Sequence, residues 1–152
     1  MKDSEWVRPT LSPAFRFEIE IEGINEAEFT SVHGLEAEIE LEPYREGGEN
    51  NFEYKFPKRT KYPNLVLKRG MTGSHHLWNW FRACTQGHIT RKDCTIKLIN
   101  YNGDVFSQWT CYKCYPVKWV GPDLTADRSA VAIETLELVH QGFMSDSKQG
   151  KK

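Results

Sequence analysis

No stretch of this chain approaches the ~18 consecutive apolar residues that a membrane-spanning helix requires. The common catalytic signatures are also missing. There is no glycine-rich phosphate loop behind a strand, no His-Glu-x-x-His pair for zinc and no serine in a Gly-x-Ser-x-Gly turn. The opening MKDSEWVRPTLSPAF holds no apolar core of the kind a signal peptide needs, so the expectation is a chain made in the cytoplasm. Cysteine is sparse. Cys84, Cys94, Cys111 and Cys114 suit reduced core positions better than a disulfide framework. Cys111 and Cys114 form a C-x-x-C, but residues three apart on a strand point to opposite faces, so a shared metal would need a bulge. No cofactor or metal site is expected.

Weaker chemical readings also fail. His75 and His76 are adjacent, about 100° apart on a helix, and read as surface histidines. A uniform row of glutamates could supply an acid pair for glycoside chemistry, but it lacks the split environments that separate two carboxyl pKa values. The expectation is a protein that is not an enzyme.

What is present is charge, and it is segregated. Residues 1–50 hold thirteen acids and four bases, residues 51–97 hold ten bases and two acids, and the remainder carries six of each. The net charge of −1 therefore conceals two opposed halves and gives no general reason to expect nucleic acid. Opposed halves can steer copies together, or they can pair with each other inside one monomer. A chain of 152 residues is long enough for one domain burying about 68–70% of its unfolded surface.

Alternation predicts mainly strands. Phe15, Phe17, Ile19 and Ile21 alternate with Arg16, Glu18, Glu20 and Glu22, and Gly23 ends the run. A second run starts at Phe29 and breaks at His33-Gly34. Leu35, Ala37, Ile39 and Leu41 then alternate with Glu36, Glu38, Glu40 and Glu42. Those glutamates line one face at ~6.5–7 Å intervals and repel one another, so that face meets water or a cationic partner. Leu65 to Leu67 form a short strand. Thr72 or Ser74 caps a helix from about His75 to Gln86, with Gly87 at its end and Leu77, Trp78, Trp80, Phe81 and Cys84 on one arc. Thr95–Ile99 and Val105–Thr110 flank Asn102-Gly103, a hairpin signal. The second of these runs on irregularly to Trp119, with Pro116 breaking regular pairing. The last strand, Ser129 to His140, is apolar on parts of both faces, as for a central strand or one covered by a neighbouring subunit.

Pro43 to Asn64 lacks a core-like period and carries Gly47-Gly48, Pro57 and Pro63. So long an irregular stretch is commonly functional or disordered, and its aromatics argue against disorder. Phe52, Tyr54 and Phe56 alternate with Glu53 and Lys55, predicting a projecting β-arm whose aromatics need something to pack against. Interleaved with Lys58, Arg59 and Lys61, they could also suit a single nucleic-acid strand, but the acidic face nearby opposes it.

Together these segments resemble the tail-tube (inner tube) protein family of contractile phages and related contractile injection systems. The resemblance covers about Ala14 to Phe143. It rests on FRFEIEIEGI, TSVHGLEAEIE, YREGGENN followed by YPNLVLKRG, LWNW before a helix end, ITRKDCTIKL, YPVKWVGPDL and VAIETLELVHQGF, in that order. It implies an antiparallel β-barrel or sandwich with one flanking helix and a long projecting arm. The expected layout is an N-terminal extension over 1–14, the tube domain over 15–143 and a flexible tail over 144–152. It further implies homo-oligomeric hexameric rings, stacked into a hollow tube inside a contractile sheath, with the chain synthesised in the bacterial cytoplasm and assembled into a phage tail or contractile injection particle. Sheath, baseplate hub, tube-terminating proteins and luminal cargo are the implied partners, with no membrane anchor. The ring-stacking arm would use Tyr44, Arg45, Glu46, Glu49, Phe52, Tyr54, Phe56, Lys58, Arg59 and Lys61. An inter-subunit acidic face would use Glu36, Glu38, Glu40 and Glu42. Competing readings are a secreted type VI-like ring protein, which shares the architecture, and a monomeric β-barrel ligand- or single-strand-binding module.

Overall fold

Alternating burial organises the computed structural model, which describes residues 15–24, 29–44, 47, 53–127 and 131–146. The described strands in chain order are β1 (Arg16–Ile21), β2 (Phe29–His33), β3 (Glu38–Tyr44), β4 (Tyr54–Lys61) and β5 (Leu65–Gly70). After helix α1 (His76–Thr85) come β6 (Lys92–Ile99), β7 (Val105–Val120), β8 (Ile133–Val139) and β9 (Phe143–Asp146). In β1 the isoleucines Ile19 and Ile21 are buried while Glu18 and Glu20 are exposed. Glu20 meets Lys97 Nζ on β6 at 2.7 Å.

One antiparallel sheet runs β1-β6-β7-β8-β5-β2, with β9 also paired to β7. β7 makes this possible by changing partners along its length. Its first part pairs with β6 up to Cys114 and with β9 from Gln108 to Cys111. From Tyr115 to Val120 it pairs with β8. Strands that switch sheets through a bulge turn a sheet into a sandwich or barrel corner.

The switch lies at Lys113. Its φ of 52° is the one positive value on a non-glycine residue among the described residues, and its N–H donates to Asp93 Oδ1 at 3.1 Å. This corner corrects the sequence reading of the C-x-x-C. Cys111 and Cys114 do not face opposite ways, because the kink between them resets the alternation and turns both into the core beside Cys94. Pro116 does break regular pairing, as its sequence position suggests, without ending it. It sits opposite Leu138, and the irregularity falls just after it, before Lys118.

The core gathers Leu65 and Leu67 of β5, Ile96 of β6, Leu136 and Leu138 of β8, and Leu77 and Trp80 of α1. The helix begins with His75 in the cap position and no side-chain cap, so neither Thr72 nor Ser74 caps it; the Thr72 hydroxyl accepts from the Ser74 N–H instead. Gly87, with φ 86°, does close the far end, where its N–H donates to the Cys84 carbonyl. Trp78 stays partly exposed and packs edge-on to Trp119, ring centroids 4.7 Å apart.

Three boundaries move. The β6–β7 connection is a longer loop tied by the Asn100 side chain, which accepts from the N–H groups of Asn102 and Asp104, and only Gly103 takes a positive φ. The last long strand starts at Ile133, later than the sequence reading placed it. Pairing also continues past Phe143 to Asp146, so the chain leaves the sheet later than a tail over 144–152 would have it.

Candidate functional site

β3 and β4 stand apart from the main sheet as a two-stranded ribbon paired only with each other. The acidic run and the basic run of the sequence are thus the two strands of one hairpin. Partners in an antiparallel pair share a face. Tyr44 opposite Tyr54 and Glu42 opposite Phe56 set the aromatics on one face, where Tyr44 and Phe56 meet edge-to-face at 5.7 Å. Leu41 opposite Pro57 and Pro43 opposite Lys55 define the other face, and Ile39, two residues before Leu41, belongs to it.

Between Ile39 and Leu41 the register shifts, so that Lys58 and Arg59 together oppose Glu40. The bulge concentrates charge. Arg59 Nε lies 3.0 Å from Glu40 Oε2, Lys61 Nζ 3.5 Å from its other oxygen, and Lys58 Nζ 3.7 Å from Glu42. The hydrogen bond from Arg59 is the main cause holding the Glu40 carboxyl below its ordinary value, with Lys61 adding to it. Glu40 and Glu42, two of the four glutamates read as an inter-subunit acidic face, thus already meet cations of the same chain. Glu36 precedes the strand, and Glu38 pairs through its backbone with Lys61.

Both faces of the ribbon are open. Ile39 is 55% exposed, Leu41 50% and Phe56 53%. The sequence reading set Ile39 and Leu41 on the face opposite the glutamates. Alternation marks an apolar face but does not tell whether the same chain covers it. Of the remaining arm residues, Tyr54, Lys58, Arg59 and Lys61 lie on β4, whereas Arg45, Glu46, Glu49 and Phe52 fall outside the described residues.

The ribbon's root is tightly built. Gly34 takes φ 102°, and a Cβ there would come within 2.2 Å of the Asn64 carbonyl oxygen. Asn64 Nδ2 donates to Glu137 on β8 at 2.8 Å. The Gly142 N–H donates to His140 Nδ1 at 3.1 Å, so the ring's proton is on Nε2, which meets the Pro63 carbonyl at 3.0 Å. Tyr62 packs on His140 and Phe143. Gly34, Asn64 and His140 were not among the residues singled out from sequence. Only the break at His33-Gly34 hinted at them.

Beneath β8 lies a buried polar group the sequence also hid. Arg69 and Glu134, 2% and 4% exposed, form an ion pair through Arg69 Nε and Glu134 Oε1. Glu134 Oε2 accepts from Trp119 Nε1 at 3.0 Å, which ties the pair to the Trp78–Trp119 contact under α1. It is a structural link, since it opens onto no cleft with a nucleophile. Among the described residues no group of three or more His, Cys, Asp or Glu side chains is placed to hold a metal ion, and no helix is long and apolar enough to cross a membrane.

The chain is similar to several known proteins. The family model of the T4-like virus tail tube protein gp19 matches residues 13–144. A chain in the cryo-EM structure of the anti-feeding prophage baseplate, six-fold symmetrised, is 27% identical with TM-score 0.78, covering 93% of this chain and 98% of its own. A chain from the PVC extracellular contractile injection system, in its extended sheath-tube complex, has TM-score 0.80 at 23% identity, covering 97% and 99%. Hcp1 from Salmonella typhimurium shares the fold less closely, with TM-score 0.60 at 15% identity over 91% and 90%. A search of curated proteins returned no match.

Proposed function

Because the chain belongs to the T4-like virus tail tube protein family, we propose that it acts by joining copies of itself into six-fold rings that stack into a hollow tube. It is a structural tube subunit, and the same reading makes its work assembly and transit, with no reaction catalysed. A contractile sheath would surround the tube, a baseplate hub would start it and a terminating protein would end it, with cargo in the bore. The anti-feeding prophage and PVC likenesses support an injection-particle or phage-tail setting over the type VI-like ring, whose Hcp relatives are more distant in fold.

The observation that carries this reading is the ribbon. A two-stranded hairpin alone is marginally stable in water, and this one presents Ile39, Leu41, Tyr44, Tyr54 and Phe56 to solvent in the single chain. An adjacent ring supplies the missing cover. Six equivalent ribbons per ring turn a modest contact into a durable one, since after the first engages the others bind intramolecularly. The ribbon with its tip thus becomes the stacking device. Sedimentation and negative-stain class averages of the purified chain, alone and with its baseplate proteins, test the reading. Rings and tubes are expected. A chain that stays monomeric beside its baseplate proteins would overturn it.

A further inference from the structure

The ribbon's two faces are chemically unequal, and the difference says which one binds. One face carries the charges, already matched to one another: Glu40 with Arg59 and Lys61, Glu42 with Lys58; the aromatics beside them, Tyr44, Tyr54 and Phe56, share that face, where Tyr44 and Phe56 pack on each other. A partner drawn to that face would have to break these pairs or meet them neutralised. The opposite face carries Ile39, Leu41, Pro43 and Pro57, with Lys55 as a charged neighbour. Among these, Ile39 and Leu41, each about half exposed, have the most apolar surface left to take out of water.

We infer that the ribbon docks through its Ile39–Leu41 face onto an apolar surface of a second copy of this chain, and that its charges shape the ribbon without bridging the copies. The inference rests on the tube reading above and specifies its contact. A second copy is the fitting occupant for two reasons. On the tube reading, its neighbours in the particle include its own copies. The same chain also exposes Val120, Leu124, Val131 and Ile133 near the end of β7 and the start of β8, so both halves of an apolar contact are present on one molecule. A polyanion or an acidic peptide would instead need uncompensated cations, and on β4 Lys58, Arg59 and Lys61 are already paired with acids of β3.

Two consequences separate this contact from an electrostatic one. Apolar burial is insensitive to screening and strengthens in excluded salts, whereas bridges between exposed charges weaken as the Debye length falls from roughly 14 Å to about 3 Å between 0.05 and 1 M salt. Tube mass of the full chain, measured by sedimentation and by microscopy, is therefore expected to hold or rise across that salt range. The double substitution Ile39→Ser/Leu41→Ser is expected to leave the melting temperature of the subunit within a few degrees of the parent. It is expected to lower tube mass at least tenfold, because forgoing the burial of a single such side chain already weakens association by roughly a factor of ten. Ile39→Val/Leu41→Met, which keeps the face apolar, is expected to elongate normally. Severalfold loss of tubes with salt would overturn the inference. So would normal elongation of the serine variant, or failure of the valine-methionine variant equal to that of the serine one. If the parent chain makes no tubes at any salt, even beside its baseplate proteins, the tube reading itself falls. If the parent makes tubes and the serine variant does too, only the assignment of the face falls.

Discussion

Arg59 donates from Nε to Glu40 Oε2 across 3.0 Å, closing the ribbon where a bulge sets two bases against one acid. That hydrogen bond is the leading reason the Glu40 carboxyl sits below its ordinary value of about 4.3. A group depressed in the folded state contributes stability above its unfolded pKa and loses it as pH falls through the folded one. The ribbon is therefore expected to loosen before the sheet does as pH falls below the ordinary carboxylate range. Amide protection factors at β4 against β6, at pH 6 and pH 3, check this. A severalfold drop in protection confined to β4, after correction for the intrinsic pH dependence of exchange, is the expected result, and an equal drop in both strands counts against it.

The Arg69–Glu134 pair has the opposite character because it is buried. Removing one partner of a buried pair typically costs about 3–5 kcal/mol, whereas replacing both with apolar residues is often neutral. Glu134→Ala is expected to lower the urea unfolding free energy by that amount and to disturb the emission of Trp119, which loses its acceptor. The double variant Arg69→Met/Glu134→Leu is expected to regain most of the loss. A single variant within about 1 kcal/mol of the parent would show the pair to be unimportant.

Burial, not partner chemistry, governs the cysteines. It pushes the Cys111 thiol up to about 11 and the Cys114 thiol up to about 12, and Cys94 rises as well. Raised groups contribute stability that is full below the unfolded value, about 8.5 for a thiol, and is lost as pH rises through the folded value. Stability is thus expected to fall between about pH 9 and 11 by roughly 1.4 kcal/mol per pH unit for each buried thiol. Comparing urea midpoints of the parent and Cys114→Ala at pH 8 and pH 10 isolates one of them; equal pH slopes would refute the effect. At neutral pH a thiol reagent is expected to find all four cysteines in denaturant, but in the native chain no more than Cys84, whose side chain is partly exposed.

Much of this was legible in the sequence, and the failures share a cause. Alternation located β1, the β6–β7 hairpin and the helix face of Leu77 and Trp80, because each is decided by neighbours within a dozen residues. The charge reversal was legible too, and the monomer's own pairing accounts for Glu40 and Glu42. What stayed hidden depends on long-range closure. The kink at Lys113 exists because Asp93, on another strand, accepts its N–H. Glu134 reads as a surface acid until Arg69 is placed opposite it by the β5–β8 register. That Ile39 and Leu41 stay open also stayed hidden, because period two reports a face and not what covers it.

Gly34 offers the sharpest test of how the ribbon is aimed. It sits where the chain leaves β2, and its φ of 102° is a conformation side chains rarely adopt. The left-handed region costs a non-glycine residue roughly 1–2 kcal/mol. A Cβ would also fall 2.2 Å from the Asn64 carbonyl oxygen and 3.2 Å from Leu65 Cα, backbone atoms that cannot rotate away. Asn64 is in turn held by its bond to Glu137, and Pro63 by His140, so the opposing strand resists displacement. Gly34→Ala is therefore expected to cost about 2–4 kcal/mol, combining strain with overpacking, and to push the ribbon's two legs apart at their root. Leu136 and Leu138, held in the core of the main sheet, are expected to keep their protection from exchange while β3 and β4 lose theirs. Tube elongation should fall with the ribbon, and rings should survive if they depend on the sheet alone. A Gly34→Ala chain that melts and elongates like the parent would show that the root tolerates a methyl group and that its tight approach does not set the ribbon's direction.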